Sequence, residues 1–306
     1  MRKILIGYDG SPRGDDALAL GRVLAEAADD PQVAVVTVFK ALPPVDDVGT
    51  PGLQEQRMKG AAEEALAQAR SHWPDLESTS FRAVPGASPS AALQPLAAGG
   101  DFDVIVVGSS HRHGLGRVFP GSATEQTLAG SPRAVAIAPP RYAELPAPAL
   151  KRIGAGYDGT PESLRALELA ADLAVATGAT LVAIDVVDTA SPPFTAAYGY
   201  GSFREEVREL GVRHIEHARH IAAERHVERV ETLLPEGFPP DELVAAGRDL
   251  DLLVLGSRDH GPALRLLLGG VSSRVVRDAA CPVLVIPRSA RAEQTTGNAM
   301  TTAAST

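Results

Sequence analysis

The feature that most constrains this chain is an internal repeat: "ILIGYDGSP" at 4–12 returns as "IGAGYDGTP" at 153–161. "DFDVIVVGSS" at 101–110 likewise returns as "DLDLLVLGSR" at 249–258. Asp9 then matches Asp158, Gly108 matches Gly256 and Gly121 matches Gly269, so the offset is 148 or 149 residues throughout. That period is too long for a solenoid unit and equals the length of one domain, so the chain is a duplicated domain.

Within each copy, short apolar runs alternate with longer segments of helical spacing. In the first copy KILIGYD, VAVVTVF, STSFRAV, DVIVVGS and AVAIAP read as strands, with helices near 12–28, 55–71, 88–98 and 121–129. The central strands are continuously apolar, as parallel strands are when helices cover both faces of the sheet. Ser11-Pro12 and Thr160-Pro161 each set a capping residue before a helix-compatible proline, which predicts a helix straight after the first strand of each copy. The pattern is βαβαβαβαβ, twice: an α/β fold of two tandem open-twisted five-stranded parallel sheets flanked by helices. Right-handed crossovers give each sheet the order 3-2-1-4-5. The boundaries read as domain 1 over 1–141, a Pro- and Ala-rich linker at 142–150, domain 2 over 151–288, and a disordered polar tail at 289–306.

A formal net charge of -9 argues against nucleic acid or an anionic membrane as the main partner, because both are themselves negative. Any anion must be held by a local device. Cys281 is the single cysteine, so no intrachain disulfide forms, in keeping with a reducing compartment. The opening "MRKILIGYDG" is too short in its apolar part for a signal peptide, and no run approaches a membrane span. The expected location is cytoplasmic.

In open parallel sheets ligands bind beyond the carboxyl ends of the strands, where strand order reverses, here between strands one and four. The most glycine-bearing loops of each copy follow those strands: "GYDG" and "GSSHRHGLGRVFPGS" in the first. Two readings stand side by side. Glycines before a helix N-terminus let backbone N–H groups approach phosphate oxygens. Glycines also simply shape tight strand-to-helix turns. Asp9 and Asp158 have the same duality, accepting from a ribose hydroxyl or a base amino group, or else bonding nearby amides in the turn.

These motifs, together with "PGASPSAAL" and "EGFPPDEL" before the third helix and the closing "SPRAVAIAP" and "CPVLVIP", resemble the universal stress protein family over nearly the whole chain. Nucleotide-binding members carry Gly-x2-Gly-x9-Gly-Ser/Thr between strand four and helix four. The resemblance implies a Rossmann-like fold of the adenine nucleotide alpha hydrolase-like kind that binds ATP or a related adenine nucleotide, with Mg2+ as its companion cation. It places adenine and ribose near Asp9 and Val38, and phosphates along Gly108, Gly121, Ser122 and Thr124. The second-copy equivalents are Asp158, Val186, Gly256, Gly269, Gly270 and Ser272. His111 stands at the second glycine of the signature in the first copy and Asp259 in the second, and Gly270 replaces the final Ser/Thr. A side chain at that glycine hinders close backbone approach. Asp259 repels phosphate, whereas His111 can donate to it, so the first copy is the better site. Arg112, Arg117, Arg258 and Arg265 lie in the same loops. The resemblance further implies antiparallel pairing of the two closing strands, and a homodimer.

Other residues read more plainly. His214, His217 and His220 fall three apart on a helix; with Glu216 and Glu224 they read as a hydrated charged face, not a metal site. His111 and His113 read as solvated loop residues, Cys281 as core, and Trp73 as no platform for nucleic-acid bases. No nucleophile with an ordered base and no Walker lysine motif occur, so the reading is a nucleotide-responsive stress regulator, not an enzyme, with slow ATP hydrolysis left open. The alternative is an interaction protein of the same fold without nucleotide. An adenylating enzyme of similar architecture is weakened because strand one ends in "YDGSP" instead of a serine- and glycine-rich phosphate loop.

Overall fold

The computed structural model describes residues 1–40, 51–73, 78–109, 123–190, 200–257 and 270–287. The first half runs β1 (Lys3–Gly7), α1 (Pro12–Glu26), β2 (Gln32–Lys40), α2 (Pro51–Ser71), β3 (Thr79–Gly86), α3 (Pro89–Gly99), β4 (Val104–Gly108), α4 (Ala123–Leu128) and β5 (Ala134–Ala138). The second runs β6 (Arg152–Gly156), α5 (Pro161–Thr177), β7 (Thr180–Ile184), β8 (Val187–Asp188), α6 (Tyr200–Glu224), β9 (Val230–Leu233), β10 (Glu236–Gly237), α7 (Pro239–Ala246), β11 (Leu252–Gly256), α8 (Gly270–Asp278) and β12 (Val283–Ile286). The predicted tail lies outside the described residues.

Each half has the predicted strand order, and the two halves join into one ten-stranded sheet, β3-β2-β1-β4-β5-β12-β11-β6-β7-β9. Every neighbouring pair is parallel except β5 and β12, which run antiparallel with Val135 opposite Val285, Ala136 opposite Leu284 and Ile137 opposite Val283. This seam covers two edges that would otherwise stand open to other chains. One helical layer packs its apolar face on Ile4, Ile6, Val104, Ile153 and Leu252, and the other on Leu5, Val36, Ile105 and Leu253. Both faces of the central strands are therefore buried, which is why their sequence does not alternate.

The second half departs from the first at strand two. β2 is nine residues long and pairs with β3 along eight of them, whereas its counterpart breaks after Ile184 and resumes as β8, which pairs with β10 in a separate two-stranded ladder. Val186, read as the end of strand two, lies in that break.

The linker is held down. Asp16, buried within α1, accepts from the backbone N–H groups of Arg141 at 3.0 Å and Ala143 at 2.9 Å, and Tyr142 between them is buried. Burial raises the Asp16 carboxyl above its usual range against the pull of these bonds. Asp16→Ala is expected to cost about 3 kcal/mol in urea denaturation, because it removes a buried acceptor and leaves two part-buried backbone donors without it. An acid whose folded pKa is raised contributes most when protonated, and that contribution fades as pH rises through the folded value. The alanine deficit is therefore expected to be larger at pH 4 than at pH 8.

Candidate functional site

Each half opens a crevice beyond the carboxyl ends of its first and fourth strands, as an open parallel sheet dictates. The first holds about 150 Å3 and is lined by Tyr8, Asp9, Arg13, Val38, Gly108 and Thr124 among others. Ser11 caps α1, its hydroxyl accepting from Gly14 N–H with Pro12 following, and the turn before it needs Gly10 at φ +73°. Asp9 is exposed; its Oδ1 accepts from Ser11 N–H at 3.0 Å and from Ser11 Oγ at 2.5 Å. The local role is thus filled, and the second carboxylate oxygen lies outside those two bonds. The Tyr8 hydroxyl donates to Asp15 at 2.9 Å, and burial raises its pKa. Ser109, just after β4, buries a hydroxyl that finds no partner among the described residues.

Gly108 ends β4 directly against the first turn of α1: a Cβ there would lie 2.1 Å from the Arg13 carbonyl oxygen. Gly256 is in the same position, 2.4 Å from the Glu162 carbonyl group. Both glycines are therefore demanded by helix-on-strand packing, whatever ligand is present. Thr124 Oγ1 donates to the Gly108 carbonyl at 2.9 Å and Ser272 Oγ to that of Gly256 at 3.2 Å, tying α4 and α8 to the strand ends.

At the strand-two side, Tyr8 N–H donates to the Val36 carbonyl at 2.9 Å. Backbone groups two residues apart on a strand point to the same side. The N–H and C=O of Val38 therefore face the place where β1 has already turned into α1, and so face the crevice.

The second crevice is larger, about 330 Å3, and is lined by Asp158, Asp185, Val186, Asp188, Gly270 and Ser272 among others. Thr160 caps α5, and Asp158 Oδ1 accepts from Thr160 N–H at 3.2 Å and Oγ1 at 2.6 Å. Its charge differs from that of the first crevice. Arg13 of the first half is replaced at the matching place by Glu162, and no basic side chain occurs among the described residues lining it. A side chain at Gly270 would meet nothing within 4 Å, so that glycine answers no packing need.

Asp9, Val38, Gly108 and Thr124 thus come together around the first crevice, and Asp158, Val186, Gly256, Gly270 and Ser272 around the second. His111, Gly121, Ser122 and Gly269 lie outside the described residues, as do Asp259 and the four loop arginines. The sequence reading passed over Arg13, Asp185 and Ser109. Arg13 was discoverable by laying "SPRG" over "TPES".

The histidine reading needs correction. His217 and His220 are exposed as expected, His220 pairing with Glu224 at 3.1 Å, and His214 is the one that departs from the face. His214 turns inward, its Nδ1 2.7 Å from Asp185 Oδ2, and His217 Nδ1 lies 2.6 Å from the Tyr157 hydroxyl. At about 100° per residue each step of three falls about 60° short of a full turn, so His214 and His220 stand about 120° apart around the helix and the three rings cannot share one outlook. No cluster able to hold a metal occurs among the described residues. Cys281 is buried and its thiol is pushed up to about 12 by desolvation, as a core residue should be. Trp73 is likewise buried.

None of the described helices is long and apolar enough to cross a membrane. Comparison with known proteins agrees with the architecture. The family model described as "Universal stress protein family" matches twice, over residues 1–139 and 149–287. Universal stress protein MJ0531 of Methanocaldococcus jannaschii is 34% identical over 143 residues, covering 45% of this chain and 82% of that protein. Universal stress protein Mb2346c of Mycobacterium bovis is 28% identical over 207 residues, covering 65% and 69%. Among solved structures, a universal stress protein from Archaeoglobus fulgidus superposes with a TM-score of 0.66 at 18% identity, covering 94% of this chain and 96% of that one. With two consecutive matches that together span most of its length, this chain belongs to the universal stress protein family.

Proposed function

We propose that this protein is a nucleotide-responsive stress regulator whose first crevice binds ATP or a related adenine nucleotide, without dedicated catalysis. The observation that carries the reading is the pair of strand-end groups at Val38, a donor and an acceptor side by side, facing a cleft at the switch point of the sheet. Such a pair complements the N1 acceptor and amino donor of adenine. Asp9 stands near for the ribose. Arg13 and the start of α1 supply the positive field that a phosphate needs. Mg2+ would enter with the nucleotide, held by its phosphates. The reading includes a cytoplasmic location and a homodimer, for which the outer strands β3 and β9 are the open edges.

The test is direct. Freshly purified protein is denatured and its supernatant chromatographed for adenine nucleotide, and ATP is then titrated by calorimetry. Binding is expected, and Arg13→Glu, which installs the second-half charge, is expected to weaken it about tenfold at low salt. No carried-over nucleotide and no heat at millimolar ATP would leave the interaction-protein reading in its place.

A further inference from the structure

The two crevices are built alike but end strand two differently, and the difference lies in a matched pair of residues. In the first half the two places hold Thr37, whose buried hydroxyl has no partner among the described residues, and Ala65, whose methyl lies beneath Gly10. In the second half they hold Asp185 and His214. The His214 ring occupies the space over Gly159, where a Cβ would lie 2.5 Å from Nε2, and meets Tyr157 edge-on at 5.9 Å between centroids. From there Nδ1 holds Asp185 Oδ2 at 2.7 Å. Asp185 is 7% exposed as a residue, yet it lines the crevice.

What the carboxylate does there follows from the backbone. Tyr157 N–H donates to the Ile184 carbonyl, whereas Asp185 and Val187 donate to Leu233 and Pro235 on the opposite side. Val186 therefore directs its N–H and C=O toward the crevice, as Val38 does in the first half. Asp185 Oδ1 accepts that N–H at 2.8 Å. The donor–acceptor edge of the first crevice thus becomes, in the second, an edge of two acceptors: the carboxylate and the Val186 carbonyl.

We infer that Asp185, positioned by His214, sets the specificity of the second crevice, turning away adenine and selecting a base whose edge donates twice, as guanine does with N1–H and its 2-amino group. Adenine would bring its N1 lone pair against a carboxylate oxygen, two acceptors with no proton between them. Guanine brings protons to both, and one of its bonds is charge-assisted. The inference rests on the proposed nucleotide reading of the crevices, and it makes one chain a sensor of two different purines.

The test uses the full chain with AMP and GMP, so that the phosphate charge is equal and small. Wild type is expected to bind one equivalent of each without mutual competition, with Arg13→Glu weakening AMP alone. Asp185→Thr, which installs the first-half residue and frees the Val186 N–H, is expected to raise AMP to two equivalents and weaken GMP by at least about tenfold. Asp185→Asn keeps the shape and the covered N–H; it is expected to weaken GMP without gaining AMP. His214→Ala is expected to shift the GMP-to-AMP preference in the direction of Asp185→Thr, which a merely structural role would leave unmoved. Two equivalents of AMP on wild type, or a preference that Asp185→Thr leaves unchanged, would overturn the assignment. If AMP binds in an Arg13-dependent manner but GMP does not bind, this inference alone fails; if neither binds, the nucleotide reading fails with it.

Discussion

Gly108→Ala is expected to lower the stability of the chain by about 3 kcal/mol and to remove nucleotide binding at the first crevice. The new methyl would sit 2.1 Å from the Arg13 carbonyl oxygen and 3.1 Å from its Cβ. Neither side can yield cheaply. β4 is fixed between β1 and β5 by ladders on both edges. The first turn of α1 is fixed by the Ser11 cap, by Pro12 and by the Asp15 N–H bond to the Ser11 carbonyl. Relief requires α1 to move away from the strand end, and this carries Arg13 and Asp9 out of register with Val38. Urea denaturation followed by circular dichroism, with ATP calorimetry alongside, measures both effects. Gly270→Ala is the control, since its methyl meets open space at the start of α8 and its stability should stay within about 1 kcal/mol of wild type. A Gly108→Ala protein as stable as the Gly270→Ala control would mean that the strand end does not bear on the helix as described.

Much of this architecture was legible because the deciding interactions are local or repeated. Ser11-Pro12 and Thr160-Pro161 cap α1 and α5 with residues adjacent in sequence, so the motif and the structure are nearly the same statement. Strand order follows from crossover handedness and needs no side-chain detail. The Asp185 and His214 pair was not legible, because it joins residues 29 apart through the rotation of α6 about its axis. Three histidines at equal steps look alike in sequence. Which of them faces the sheet depends on where the helix is laid down, and that is settled by buried neighbours such as Ala218 and Ile215. The break in strand two belongs to the same class: "LVAIDVVD" reads as one run, yet β7 ends at Ile184, where the facing Pro235 accepts from Val187 N–H but has no N–H of its own to return to the ladder. The glycine loops were legible as important but not as to why. Gly108 and Gly256 answer to packing, while Gly270 answers to nothing nearby.

The seam between the halves gives the other large expected effect. Ala136→Asp should cost about 4 kcal/mol at pH 8, because it places a carboxylate with no partner where desolvation is complete. Ala136 and Leu284 face each other across the antiparallel join and both are fully buried. The side chain at 136 belongs to the hydrophobic layer built with α1 and α5, whereas the natural buried acid of that region, Asp16, receives the backbone N–H groups of Arg141 and Ala143. Burial must then raise the pKa of the introduced acid, so its protonated form is the one the fold tolerates. Stability is accordingly greatest at low pH and falls as pH rises through the raised value. The deficit measured by urea denaturation should therefore be smaller at pH 5 than at pH 8. Ala136→Asn has the same shape without the titration, and its deficit should not change across that range; if Ala136→Asp behaved identically, the seam would be open to water and the two halves would be neighbours instead of one sheet.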